Sequence, residues 1–333
     1  MPQAVSSNLD SSNGFRPSTH KGEYTLRWVL AHEPPVVFDA AAKLFEDQVR
    51  DGSSGDIDVQ LFRAGEYSVN STSGPASRDE LVASLQRGEI EMAHCYTSAL
   101  GAVHDKLWAI ELPFLFRDYA HADAVWEGQA AQLLMQGLPK VGLRGVAFAY
   151  SGGFRIVATA DRELRSLADF EGLRLRTAGN PVPEALYELL GGSAKGASLE
   201  AITGLRRDGK IDGCEITCVR YQAQGLQEVF PTINVTGHSM FTTMTVMNDS
   251  WFQSLPDRHQ ATIMDAGKAA CRLEREVAIE AEKTTLQDFE TRGMSVITMD
   301  SSEHAEFSTR AKQLHAQFAP RFGDDVLEAI RGA

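Results

Sequence analysis

Arg155, in Gly153-Phe154-Arg155-Ile156-Val157, and Arg176, in Gly172-Leu173-Arg174-Leu175-Arg176-Thr177, open two successive strand-like runs of this chain. Alternation of arginine with Leu173 and Leu175 marks one face of an otherwise buried strand. A guanidinium is costly to bury unless an anion meets it, and its planar fork matches a carboxylate. Two partners satisfy that demand: the carboxylate of a bound ligand, or an internal glutamate.

Other chemistries find little support. No GxGxxG follows a strand and no GxxxxGK[ST] occurs, so phosphate cradles are not expected. Ala149-Tyr150-Ser151-Gly152-Gly153 lacks the glycine two residues before the serine that a nucleophile elbow requires. The 9 histidines show no HxxxH or HExxH spacing, and Cys214 and Cys218 have no companion ligands for zinc. Catalytic residues, metal and cofactor are therefore not expected, and the 4 cysteines read as buried free thiols.

A net charge of −13 opposes nucleic acid or an anionic membrane as partner, so an anionic ligand needs a local positive pocket. With 333 residues the chain suits two lobes, and no apolar run reaches the ~20 residues of a membrane span.

The elements that position the arginines follow from periodicity. Thr25–Leu30, Ile57–Phe62 and Ile90–Tyr96 read as strands alternating with helices at 37–50 and 79–87, which predicts an α/β lobe with a mostly parallel sheet. Gly142–Tyr150 is a further strand, and Ser151-Gly152-Gly153 behind it is the expected hinge. A strand-helix-strand pattern then runs from 154 to Asp212-Gly213, Met240–Asn248 returns as a strand, and 257–292 reads as one long helix, or as two shorter ones broken at Gly267. The division expected is a disordered tail at 1–23, one lobe from 24–152 with 240–265, a second from 153–239 with 285–333, and the helix 257–292 between them.

Ligands of open α/β sheets gather at the carboxyl ends of strands, which nominates His32, Glu33, Tyr96, Thr97 and Ser98 in the first lobe. Phe154, Tyr150 and Phe241 offer an apolar wall, or simply core.

Gly172-Leu173-Arg174-Leu175-Arg176, Leu190-Gly191-Gly192, Gly209-Lys210-Ile211-Asp212-Gly213-Cys214-Glu215 and His238, with Leu85-Gln86-Arg87-Gly88-Glu89-Ile90 and Glu111-Leu112-Pro113-Phe114 before them, occur in the order found in a known family. The chain resembles, over about residues 24–320, the DctP-type solute-binding proteins of TRAP (tripartite ATP-independent periplasmic) transporters. That resemblance implies a two-lobed periplasmic-binding-protein-like clamshell whose long helix spans both lobes. It implies a monomer that captures a small organic anion and hands it to TRAP permease subunits in the membrane. It also implies a periplasmic location, although residues 1–23 show no apolar signal segment behind a basic start. A mature form, or an intracellular protein, accounts for that.

By direct match, Arg176 is the implied carboxylate clamp, and Arg155 matches a second arginine that some relatives direct at the same ligand. Glu215 corresponds to a carboxylate near which keto-acid members hold a cation, but the tryptophan that follows in them is missing here. Ile216 replaces an asparagine of sugar-acid members, which implies a compact acid with an apolar portion. A small-molecule sensor and a carboxylate-processing enzyme are the alternatives from other classes.

Overall fold

The computed structural model describes residues 22–30, 35–62 and 78–333. Most of the expected tail lies outside them, as do His32 and Glu33.

Ten strands form one continuous sheet: β1 (Tyr24–Leu30), β2 (Ile57–Phe62), β3 (Met92–Tyr96), β4 (Leu143–Thr159), β5 (Arg174–Thr177), β6 (Ser193–Gly196), β7 (Gly213–Thr217), β8 (Thr232–Val235), β9 (Met240–Asn248) and β10 (Ser295–Thr298). The main path runs β2-β1-β3-β9-β4-β7-β5-β6, with β8 added to β4 and β10 to β8. The sheet has two halves. One joins β1, β2, β3, β9 and the first part of β4, and the other joins β5, β6, β7, β8, β10 and the second part of β4.

A mostly parallel sheet was the expectation from β-α alternation, and the outer pairs β1–β2, β1–β3, β5–β6, β5–β7 and β8–β10 are parallel. The centre is not. β9 pairs antiparallel with β3 and β4, and β4 pairs antiparallel with β7 and β8. Runs of apolar residues cannot reveal this, since a strand buried on both faces reads the same in either direction.

The second departure concerns β4. The chain does not leave the sheet at Ser151-Gly152-Gly153 but continues as one strand of 17 residues. The pairing with β9 slips between Tyr150 and Gly153, where Gly152 and Gly153 have φ of 88° and 82°. Only glycine adopts that backbone without strain, so the bulge falls where the two halves meet. Beneath it, the Tyr119 hydroxyl accepts a hydrogen bond from the Phe154 amide at 3.2 Å and donates to Glu282 Oε2. On the other side Thr217 Oγ1 donates to Ser151 O at 2.9 Å.

The helix Asp257–Thr291 is uninterrupted over 35 residues. Gly267 does not break it, because a side chain there would collide with Val146 and its absence lets helix and sheet approach. The helix packs on the helix Pro35–Gly52 and β4, then on the helix Cys218–Ala223 and β10, and so covers both halves. The C-terminal helices Gln313–Phe322 and Asp324–Arg331 lie against the segments Asp105–Glu111 and Gln129–Met135. His121 Nε2 meets Ile330 O at 2.7 Å, and His315 Nε2 meets Pro113 O at 2.7 Å. No helix among the described residues is long and apolar enough to cross a membrane.

The bulge supplies a test. A Cβ on Gly153 would collide with the Tyr119 hydroxyl and lie 2.9 Å from Glu282 Oε2, whereas Gly209, at φ 65°, has nothing within 4 Å. Gly153→Ala is expected to cost about 3 kcal/mol from backbone strain plus steric clash, against about 1 kcal/mol for Gly209→Ala. Thermal melting of the two variants checks the difference, and equal losses would mean that the bulge is loosely packed.

Candidate functional site

Arg155, Arg176, Ala178, Leu199, Glu215, Ile216, Arg220 and Phe241 line one small cavity where the two half-sheets meet. Its volume is about 10 Å³, room for roughly one water. The elements explain the convergence. Arg176 is the last residue but one of β5, Glu215 and Ile216 stand in β7, Arg220 lies in the helix directly beyond β7, and Phe241 is the second residue of β9.

Arg155 resolves the two readings of a buried arginine in an unexpected way: it lines the cavity and is also an internal pair. Its Nη2 donates to Glu111 Oε2 at 2.6 Å and its Nη1 lies 3.0 Å from Glu215 Oε1, with all three side chains about 1% exposed. Cζ stands 4.2 Å over the Phe241 ring. Glu215 receives further support from the Tyr187 hydroxyl at 2.9 Å and from His238 Nε2 at 3.1 Å, and His238 Nδ1 is held by Thr236 Oγ1 at 2.8 Å. Burial alone would raise the Glu215 pKa, but the charge of Arg155 and these hydrogen bonds outweigh it and hold the carboxyl at about 2. Burial instead prevails at Glu111, whose pKa is raised. Glu215 is thus the firm anion of the pair. Its carboxylate is taken by Arg155, Tyr187 and His238.

Arg176 is 3% exposed, and its Nε donates to Ala197 O at 2.7 Å. That bond anchors one edge of the guanidinium and turns the fork to the cavity lining. Tyr96 stacks on Phe241 with ring centroids 4.9 Å apart and planes within 9°, so it backs the cavity wall. Thr97 is drawn to Thr242 instead, through contacts of 3.1 Å to its carbonyl and 2.7 Å to its hydroxyl. The carbonyl of the neighbouring Ser98 accepts from Trp108 Nε1 at 2.9 Å. Phe154 is on the opposite face of β4 from Arg155, against Tyr119 at 5.1 Å, because successive side chains of a strand alternate.

Two residues of this arrangement were not nominated from sequence. Glu111, in a short helical turn far from Arg155 in the chain, carries no local signal of its role. Arg220 does carry one: an arginine at the opening of a helix that follows a strand, the position where α/β sheets collect ligands. All 4 cysteines are buried and free.

The profile of bacterial extracellular solute-binding protein family 7, DctP, matches residues 31–321. A solute-binding protein of Verminephrobacter eiseniae is 28% identical over 278 residues, covering 83% of this chain and 82% of that one. Among solved structures, a TRAP periplasmic solute-binding protein from Ochrobactrum anthropi, with its C-terminus bound in the ligand-binding pocket, matches with TM-score 0.83 at 25% identity over 94% of each chain. One from Roseobacter denitrificans with bound β-D-glucuronate matches with TM-score 0.81 at 20% identity over 93% of this chain and 99% of that one. The fold is the two-lobed α/β clamshell of solute-binding proteins. The chain belongs to the DctP family of TRAP solute-binding proteins.

The bulge contributes its own electrostatics. Burial raises the Glu282 pKa from 4.5 to about 7, although hydrogen bonds from Tyr119 and the Phe154 amide pull the other way. A carboxyl raised in the fold keeps its proton longer than in the unfolded chain, so its contribution is greatest at acid pH and declines as pH rises from 4.5 to about 7. Glu215 has the opposite sign: held near 2, it stabilises above the ordinary range and loses that contribution only in strong acid. Glu282→Gln is therefore expected to flatten the fall in melting temperature between about pH 5 and pH 8. A variant with the same slope as the parent would show that Glu282 does not titrate there.

Proposed function

We propose that this chain captures a small organic acid between its two lobes and delivers it to the membrane permease of a TRAP transporter outside the cytoplasm, without chemical change to the acid. The lobes are taken as 24–152 with 240–265 and 153–239 with the start of 285–333, bridged by the long helix; the helices Gln313–Phe322 and Asp324–Arg331, assigned to the second lobe from sequence, lie against Asp105–Glu111 and Gln129–Met135 of the first. The bulge at Gly152-Gly153 then serves as the hinge.

The observation that carries this reading is Arg176, a buried guanidinium anchored through Nε to Ala197 O and lining the same cavity as Arg155 and Arg220. A cluster of guanidinium groups in a protein of net charge −13 suits a carboxylate ligand. Arg176 is the clamp, Arg155 is held chiefly by its own glutamates, and Phe241 with Tyr96 behind it forms the wall. His32 and Glu33 remain proposed first-lobe contacts. With the cavity at about 10 Å³, an acid enters only when the half-sheets part.

The related structure with glucuronate places a sugar acid in this family. For the present chain Ile216, Leu199, Ala178 and Phe241 make most of the described lining apolar. A compact acid with an apolar portion fits that lining better than a polyhydroxylated one, whose hydroxyls would lose water without regaining partners. A thermal-shift panel is expected to favour short keto, hydroxy and dicarboxylic acids, a ligand at 100 times its dissociation constant adding about 2.7 kcal/mol. If only sugar acids raise the melting temperature, the assignment of the wall is wrong.

Arg176→Ala removes a charge-assisted fork and is expected to weaken acid binding by about 2–5 kcal/mol, tens- to thousands-fold in affinity. Arg176→Lys keeps the charge but loses the planar fork, and recovers only part of the loss. Calorimetric titration beside melting without added acid separates clamp from scaffold. Normal affinity with a lowered melting temperature would make Arg176 a structural residue.

A further inference from the structure

Arg155 faces more negative charge than one guanidinium neutralises. Its Nη2 donates to Glu111 Oε2 at 2.6 Å and its Nη1 lies 3.0 Å from Glu215 Oε1, so two buried carboxyls share one buried cation. Carboxyls in that position do not titrate independently, because the charge of each raises the other's affinity for a proton.

Their other partners decide which of the two yields. Glu215 Oε2 also meets the Tyr187 hydroxyl at 2.9 Å and His238 Nε2 at 3.1 Å, which hold its charge. Glu111 lacks such support. Its Oε1 has no hydrogen-bond partner, and the neighbouring Asn180, which caps the helix Pro181–Leu189 through Oδ1, completes no hydrogen bond through Nδ2. That helix also carries Tyr187, spent on Glu215, and Glu184 and Glu188, both nearer solvent. From the helix Gln313–Phe322, packed on the same turn, His315 meets Pro113 O and Arg321 pairs with Asp105 at the far end. Burial therefore raises the Glu111 pKa against the pull of Arg155, and the charge of Glu215 adds to the rise. A proton placed on Oε1 disrupts no hydrogen bond and leaves Oε2 as the acceptor for Arg155.

Arg155 also lines the cavity, and its Nε has no hydrogen-bond partner. A carboxylate that enters beside it is a third anion on the same guanidinium. We propose that Glu111 takes up a proton when the acid binds, so that the site receives an anion and a proton together. The proton comes from solvent, an O–H bond forms at Oε1, and the charge of Arg155 passes from Glu111 to the ligand. The inference rests on the acid-binding reading above and adds to it the linkage of affinity to pH. Uptake on binding means that Glu111 holds its proton more firmly in the complex than without ligand, so affinity is greatest in acid and falls as pH rises between the two pKa values.

Calorimetric titration with 2-oxobutyrate and with lactate, both fully ionised above about pH 5, measures the uptake as the difference in binding enthalpy between phosphate and Tris buffers. The parent is expected to take up a fraction of one proton per acid bound, with affinity falling by up to about tenfold per pH unit within the range from about pH 6 to pH 9. Glu111→Gln keeps the shape and fixes the neutral state, and is expected to bind the acid with no uptake and a flat pH profile. On the parent alone, the infrared difference spectrum on adding lactate is expected to gain a protonated-carboxyl band, and its absence overturns the inference even where the variant does not fold. Binding without uptake in the parent, or the same uptake in Glu111→Gln, overturns the inference and leaves the acid site standing. Parental affinity in Arg176→Ala, or a parent protein that binds no acid of the thermal-shift panel, overturns the acid site and the inference together.

Discussion

The guanidinium of Arg155, held between Glu111 and Glu215, is the interaction around which the site is arranged. It ties the segment Asp105–Glu111 to β4 and β7, just past the bulge where the sheet changes partners. Burial of three ionisable groups is costly, and the cost is offset by the two ion pairs of Arg155 and by the Tyr187, His238 and Phe241 contacts, although Glu111 Oε1 and Arg155 Nε have no hydrogen-bond partner. Removal of any member strands a buried charge without its partner. The network thereby fixes the direction of β4 after the bulge, and with it the position of the ring that walls the cavity.

From that frame the cavity gains its character. An acidic surface repels anions at long range, while three arginines from β4, β5 and the helix after β7 meet at one point inside. One arginine is neutralised by the frame itself. Arg176 donates to a carbonyl, and Arg220 to the hydroxyls of Tyr96 and Ser151. Two left-handed glycines interrupt the pairing of β4 with β9, and Tyr119 and Glu282 brace the same point from the long helix and the first half.

Sequence legibility followed the range of each interaction. Period, glycine placement and apolar alternation are local properties, so the helix Asp257–Thr291, the strand Met240–Asn248 and the glycine pair at 152–153 were all visible in the chain. Arg176 was visible as a guanidinium forced into a buried run, and the ordered motifs around it pointed to the DctP family that the profile match establishes. Strand direction at the centre of the sheet was not visible, because a fully buried strand carries no mark of its polarity.

What the chain alone determined was therefore the set of chemical parts: buried arginines that demand anions, glycines that permit a bulge, and an Ile216 where a polar side chain would have widened the choice of ligand. Tertiary structure decided how those parts are divided. Glu111 answers Arg155 across a long stretch of sequence, Arg220 meets Tyr96 across the half-sheets, and Phe154 turns away from the cavity that Arg155 enters. Each of these depends on which residues two distant strands bring opposite one another, and register between non-local strands is a property of the packed sheet as a whole, not of any segment within it.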